Sequence, residues 1–140
     1  MARLVSTWSK DPSTQTGAVI VRPDKSVASV GFNGFSKKML DTPERLQERK
    51  EKYSRIVHCE MNAALFAREP LIGYTLYTYP FASCDRCAAH MLQAGIMRFV
   101  FPQLPADKTE RWSESVQRSL EYMRECGAQV VEVPDWQVTE

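Results

Sequence analysis

The chain has 140 residues, enough for one domain with one sizeable core. Apolar residues make up 44% and charged residues 25%, close to a soluble globular average, which argues against disorder. Lysine plus arginine number 18 against 17 aspartate plus glutamate, so the net charge of +1 gives no general pull toward nucleic acid or an anionic membrane.

Gly17-Ala18-Val19-Ile20-Val21 reads as a buried strand. Pro23-Asp24-Lys25 signals a turn and Ser26 to Val30 alternates as a second strand would, which predicts a hairpin. Gly31-Phe32-Asn33-Gly34 predicts a loop with backbone angles that favour glycine. Residues 36 to 55 are strongly charged and read as a loop with a short helix after Thr42-Pro43; Arg45 to Arg55 looks like a solvated face. Val57 to Arg68 is rich in helix formers and meets Pro70. Tyr74 to Tyr79 is rich in strand formers, its alternating tyrosines read as packing. Asp85 to Ala94 predicts a helix closed by Gly95, Met97 to Phe101 a strand, Trp112 to Cys126 a helix closed by Gly127, and Val130 to Val133 a last strand. Cys126 reads as a buried apolar residue. A hairpin followed by alternating helix and strand predicts an α/β fold: three layers, α/β/α, around a five-stranded mixed sheet. One domain is expected over residues 1–134, with a C-terminal tail at 135–140.

No apolar run approaches the roughly 20 residues of a membrane helix. The first residues are too polar for a secretory signal, so a cytoplasmic location and no membrane partner are expected. Four cysteines, Cys59, Cys84, Cys87 and Cys126, include a Cys-x-x-Cys pair, which in that compartment points to metal or redox chemistry rather than disulfides.

His58-Cys59-Glu60 stands at the start of one predicted helix and Cys84-Asp85-Arg86-Cys87 at the start of another. Zinc favours imidazole and thiolate ligands, and a catalytic site keeps three protein ligands and one open position. Two cysteines three apart can grip one ion from a single turn, and positive helix N-termini help keep them ionised. His58 would be the third ligand. Glu60, about 200° around the helix from His58, is off the metal by simple geometry and placed to move protons instead. The pattern His-x-Glu followed by Cys-x-x-Cys is the signature of zinc nucleobase deaminases.

With the flanking stretches Trp8-Ser9-Lys10-Asp11-Pro12, Gln15 to Val21, Gly31-Phe32-Asn33-Gly34, His58 to Ala64 and Gln93-Ala94-Gly95-Ile96, the chain resembles the cytidine and deoxycytidylate deaminase superfamily, most of all its deoxycytidylate (dCMP) branch. The resemblance runs from about Trp8 to Val133. It implies the cytidine-deaminase-like fold and hydrolytic deamination of a free cytosine nucleotide, dCMP to dUMP and ammonia. It implies Zn2+ held by His58, Cys84 and Cys87, with Glu60 as general acid and base. It implies a sugar contact from Asn33, a phosphate near Ser9 and Lys10, and a backbone N–H at Cys59 for the pyrimidine carbonyl. It further implies a homo-oligomer (hexamer or dimer) and, in some members, dCTP and dTTP as effectors at the loop around Asn33. Two positions depart from the family pattern. Cys59 stands where alanine is usual, and Ser83, in the segment that feeds the floor of the base pocket, stands where proline is usual.

Other readings stand beside this one. Cys84 and Cys87 can serve a structural zinc site completed by His90 and either His58 or Cys59, or form a redox pair. A deaminase can act on another free base or nucleoside, or on tRNA or single-stranded nucleic acid, although near-neutral charge argues against the last. Asn33 can be a turn residue, and Lys10 and Arg86 surface charges. Glu60 separates a catalytic site from a scaffold, because a structural zinc site has no use for it.

Overall fold

The computed structural model describes residues 1–103 and 109–134, with side chains from 1–103 and 114–134. The tail expected at 135–140 lies outside the described residues. In chain order the elements are α1 (Ala2–Ser6), β1 (Gly17–Val21), β2 (Val27–Phe32), β3 (Gly34–Phe35), α2 (Pro43–Gln47), α3 (Arg49–Arg55), β4 (Ile56–Val57), α4 (Cys59–Phe66), β5 (Thr75–Tyr79), α5 (Asp85–Gln93), β6 (Arg98–Pro102), α6 (Thr109–Glu125) and β7 (Gln129–Val133).

Five strands form one mixed sheet in the order β2-β1-β5-β6-β7. Strand β1 runs antiparallel to both neighbours, whereas β5, β6 and β7 are parallel. Parallel neighbours need crossovers, and α5 and α6 supply them. Alternation then sorts the side chains. Ala18, Ile20, Leu76, Phe99 and Phe101 meet Ala63 of α4, Ala88 and Met91 of α5, and Val116 and Met123 of α6 in one core. On the opposite face, α1 lies so close to β1 that a Cβ on Gly17 would come 2.3 Å from the Ala2 carbonyl oxygen. This is the expected α/β/α layering. Among the described residues, no helix is long and apolar enough to cross a membrane.

Three local expectations need correction. Gly31 and Gly34 do not take left-handed angles; among the described glycines, positive φ belongs to Gly73, Gly95 and Gly127. Gly31 is needed for another reason: a Cβ there would stand 2.4 Å from the Ala63 nitrogen and 2.5 Å from the Cys59 carbonyl oxygen, so α4 rests directly on β2. Residues 36 to 55 hold two short helices rather than one. Thr42 caps α2 by accepting from the Arg45 N–H at 3.3 Å, and Glu48 caps α3 by accepting from the Glu51 N–H at 2.6 Å. Cys126 is exposed, because α6 ends at Glu125 and the chain turns at Gly127 before the stripe of Val116, Ser119 and Met123 can continue.

Candidate metal centre and active site

His58 and Cys84 are both helix N-caps, with extended backbones at φ −68° and φ −65°. The Cys84 thiol accepts from the Cys87 N–H at 3.4 Å, which closes the first turn of α5 around both sulfurs. The ring of His58 faces them: its Nδ1 lies 3.2 Å from Cys87 Sγ and 3.6 Å from Cys84 Sγ. The ligand atoms of these three residues all lie within 4.8 Å of one another, and no other such group occurs among the described residues. One imidazole and two thiols form a donor set that fits zinc. The thiol of Cys84 is pushed down to about 4, first by the hydrogen bond from Cys87 and then by His58. The Cys87 thiol is pushed up by that same bond, by burial and by the charge of Glu60. Its hydrogen bond with Cys84 raises His58 despite burial. A thiolate is therefore favoured at the N-terminus of α5, as metal binding requires.

Glu60 is buried at 6% exposure, one residue into α4 from Cys59. His58, Glu60 and Cys84 line one cavity of about 540 Å³, a size suited to a small organic ligand. Cys59 begins α4, where a backbone N–H has no acceptor within the helix. Its thiol is buried against Thr16 and pushed well up, chiefly by burial.

The cavity also contacts a frame built around Asp11 and Asn33. The Asp11 carboxylate accepts from the Ser13 and Thr14 N–H groups at 2.8 and 3.2 Å. It also accepts from Lys52 Nζ at 3.1 Å and from Asn33 Nδ2 at 3.4 Å. Asn33 in turn donates to the Thr14 carbonyl at 2.9 Å and accepts from the Thr16 N–H at 2.9 Å. Asn33 thus lines the cavity, but most of its amide is committed to holding residues 14 to 16.

The other expected site residues fall elsewhere. Ser9 is buried beneath Asn33, donating to its carbonyl at 2.9 Å. Lys10 pairs with Asp41 at 2.9 Å, and neither Ser9 nor Lys10 lines the cavity. Ser83 is also buried behind the wall, its hydroxyl without a hydrogen-bond partner among the described residues, while Phe81, Ala82 and Cys84 face the cavity. His90 is exposed and donates to the Arg86 carbonyl at 2.7 Å, so it does not join the cluster. Arg49, Lys52 and Tyr53 of α3 do line the cavity. Sequence reading missed them because a charged run looks the same whether or not one of its lysines is buried.

Comparison with known proteins gives a consistent picture. The profile of the cytidine and deoxycytidylate deaminase zinc-binding region matches residues 1–103. An uncharacterized deaminase of the luxG 3' region of Aliivibrio fischeri is 40% identical over 134 residues, covering 96% of this chain and 89% of that protein. The human deoxycytidylate deaminase is 33% identical over 107 residues, covering 72% of this chain and 60% of that one. A probable deoxycytidylate deaminase of Caenorhabditis elegans is 36% identical over 105 residues, covering 72% and 53%. The match thus spans between half and two thirds of those two enzymes. The crystal structure of the dCMP deaminase of cyanophage S-TIM5 in complex with dCMP and dUMP superposes with a TM-score of 0.71 at 18% identity, covering 94% of this chain and 90% of that one, and so shares the fold.

Proposed function

The chain belongs to the cytidine and deoxycytidylate deaminase family, and we propose that it hydrolyses a free cytosine nucleotide, dCMP, to dUMP and ammonia. One observation carries the proposal: a buried carboxylate, Glu60, shares a nucleotide-sized cavity with His58 and Cys84, two members of the His58-Cys84-Cys87 donor cluster, but is not itself one of the clustered donors. A scaffold has no reason to bury that charge there.

His58, Cys84 and Cys87 would hold the zinc, which when bound supplies the Lewis acidity that makes water a nucleophile at neutral pH. The Glu60 carboxylate takes the proton that water loses and delivers it to N3 of the cytosine ring. As the water oxygen bonds to C4, the carboxylate takes the remaining proton from that oxygen and delivers it to the 4-amino group, so the C4–N bond breaks, the C4–O bond becomes a carbonyl and ammonia leaves. The free N–H at Cys59 donates to the 2-carbonyl of the ring, as an N-terminal helix amide is disposed to do. Asn33 and Thr16 border the same cavity, where the sugar would lie.

The test is a rate comparison on dCMP, deoxycytidine and dCTP with zinc-loaded protein. We expect dCMP to be preferred over both. Turnover of a purine alone, or of no cytosine compound, overturns the proposal. We extend the same reading to a cytoplasmic protein, because its four cysteines are free thiols, as is usual where a compartment keeps thiols reduced. We extend it also to a homo-oligomer, on the exposed apolar residues Leu4, Trp8, Phe32, Leu65 and Phe66.

A further inference from the structure

The cavity is lined by three side chains able to carry positive charge, Arg49, Lys52 and His58, and by two carboxylates, Asp11 and Glu60. Two of the three cations are already committed. His58 faces the two thiols. Lys52 is buried at 7% exposure, with Nζ 3.1 Å from the Asp11 carboxylate and 3.1 Å from Ser13 Oγ, so its charge is matched before any ligand arrives. Arg49 differs. Among the described residues no carboxylate lies within ion-pair distance of it. Its guanidinium lies instead over the Tyr53 ring, 5.2 Å from the centroid, one helical turn along α3. That contact limits where the fork can point without using its N–H donors. A guanidinium matches a phosphate edge with paired hydrogen bonds. Ser13 adds a neutral donor: its oxygen accepts from Lys52, which leaves its own proton for an acceptor in the cavity.

We propose that Arg49 is the specificity-determining residue for a 5'-phosphate, pairing with the monophosphate oxygens while Ser13 donates beside it. The proposal rests on the nucleotide-deaminase reading of the cavity. It moves phosphate recognition from the Ser9-Lys10 segment to α3, and it makes the Asp11–Lys52 pair the support that seats α3 against the loop at 9–16.

The test is equilibrium binding of the product nucleotide dUMP and its nucleoside deoxyuridine to zinc-loaded protein by calorimetry, which needs no turnover. In the parent, dUMP should bind more tightly than deoxyuridine. Arg49→Gln should reduce that preference about 10- to 100-fold, the range for losing hydrogen bonds to a charged group. Arg49→Lys should recover part of it. Lys50→Gln, which removes the same charge from an exposed neighbour that does not line the cavity, should leave the preference as in the parent. Melting curves of the variants separate loss of fold from loss of the contact. Three results would overturn the proposal: Arg49→Gln keeping the preference, dUMP and deoxyuridine weakening equally, or Lys50→Gln matching Arg49→Gln. A parent that binds dUMP no better than deoxyuridine overturns it as well. A parent that binds dUMP through Arg49 yet deaminates no cytosine nucleotide upholds this inference and defeats the proposed reaction instead.

Discussion

The cavity has two walls made in different ways. On one, the N-termini of α4 and α5 present His58, Glu60 and Cys84, with Cys87 one turn into α5 completing the donor cluster. On the other, Asp11, Asn33 and Lys52 come from three distant stretches and meet through one carboxylate. The first wall concentrates chemistry and is built by short-range geometry. The second carries little chemistry of its own and is built by a buried ion pair and a buried amide. Damage to the first should appear in rate and metal content, and damage to the second in stability and substrate choice.

The largest effect is expected at the first wall. A positioned general acid and base contributes about 10² to 10⁴ in rate, so Glu60→Gln should lose at least that much turnover while zinc content and melting temperature stay near the parent. Cys87→Ala should lose zinc as well as activity by elemental analysis. A Glu60→Gln protein that sheds its metal would place Glu60 among the ligands and erase the distinction between chemistry and support. At the second wall, Lys52→Met leaves the Asp11 charge buried without its partner, which costs about 3–5 kcal/mol in such settings. Chemical denaturation should report a loss of that order; a loss under about 1 kcal/mol, the scale of an exposed pair, would show that the frame does not depend on it. The smallest effect is expected at Lys10, whose pair with Asp41 is exposed at 74% and 41% of the two side chains. Lys10→Ala should leave the melting temperature close to the parent and the expected preference for dCMP over deoxycytidine intact, because an exposed pair is screened by solvent. If it abolishes that preference, the phosphate lies by Lys10 and not on α3.

The same contrast explains what could be read from the sequence. Strands and crossover helices announce themselves through apolar runs and local stop signals, so all five strands of the main sheet and α4, α5 and α6 were legible to within a few residues. Cys84 and Cys87 were legible because a spacing of three residues already dictates proximity, whereas His58, 26 residues before Cys84, was legible only through its place in the His-x-Glu pattern. Lys52 was not, because nothing around it in the chain reports that Asp11, 41 residues away, waits for it in the folded state. Ser9 stands in a stretch the sequence marks as meaningful, yet its buried hydroxyl faces the Asn33 carbonyl and ties that residue to the frame, a contact between positions 24 apart that no local pattern reports. Gly31 stands out in the sequence for the wrong physical reason, since a missing side chain can signal backbone contact as readily as a left-handed turn.

That contact at Gly31 has a mechanical meaning. At Gly31, helix α4, which carries Glu60 and begins at His58, is seated backbone on backbone against β2, with no side chain between them at that point to act as a cushion. Elsewhere in the core, rotamers can readjust and absorb a substitution, and the elements they separate drift by fractions of an ångström. Here there is no rotamer to readjust. The standoff between sheet and acid is fixed by atoms that no substitution elsewhere can resize. A library that randomises Ile20, Leu76 or Met91 to soften or stiffen the core would therefore change how firmly the platform is held while leaving its height almost constant. Gly31→Ala is the change that moves the platform itself.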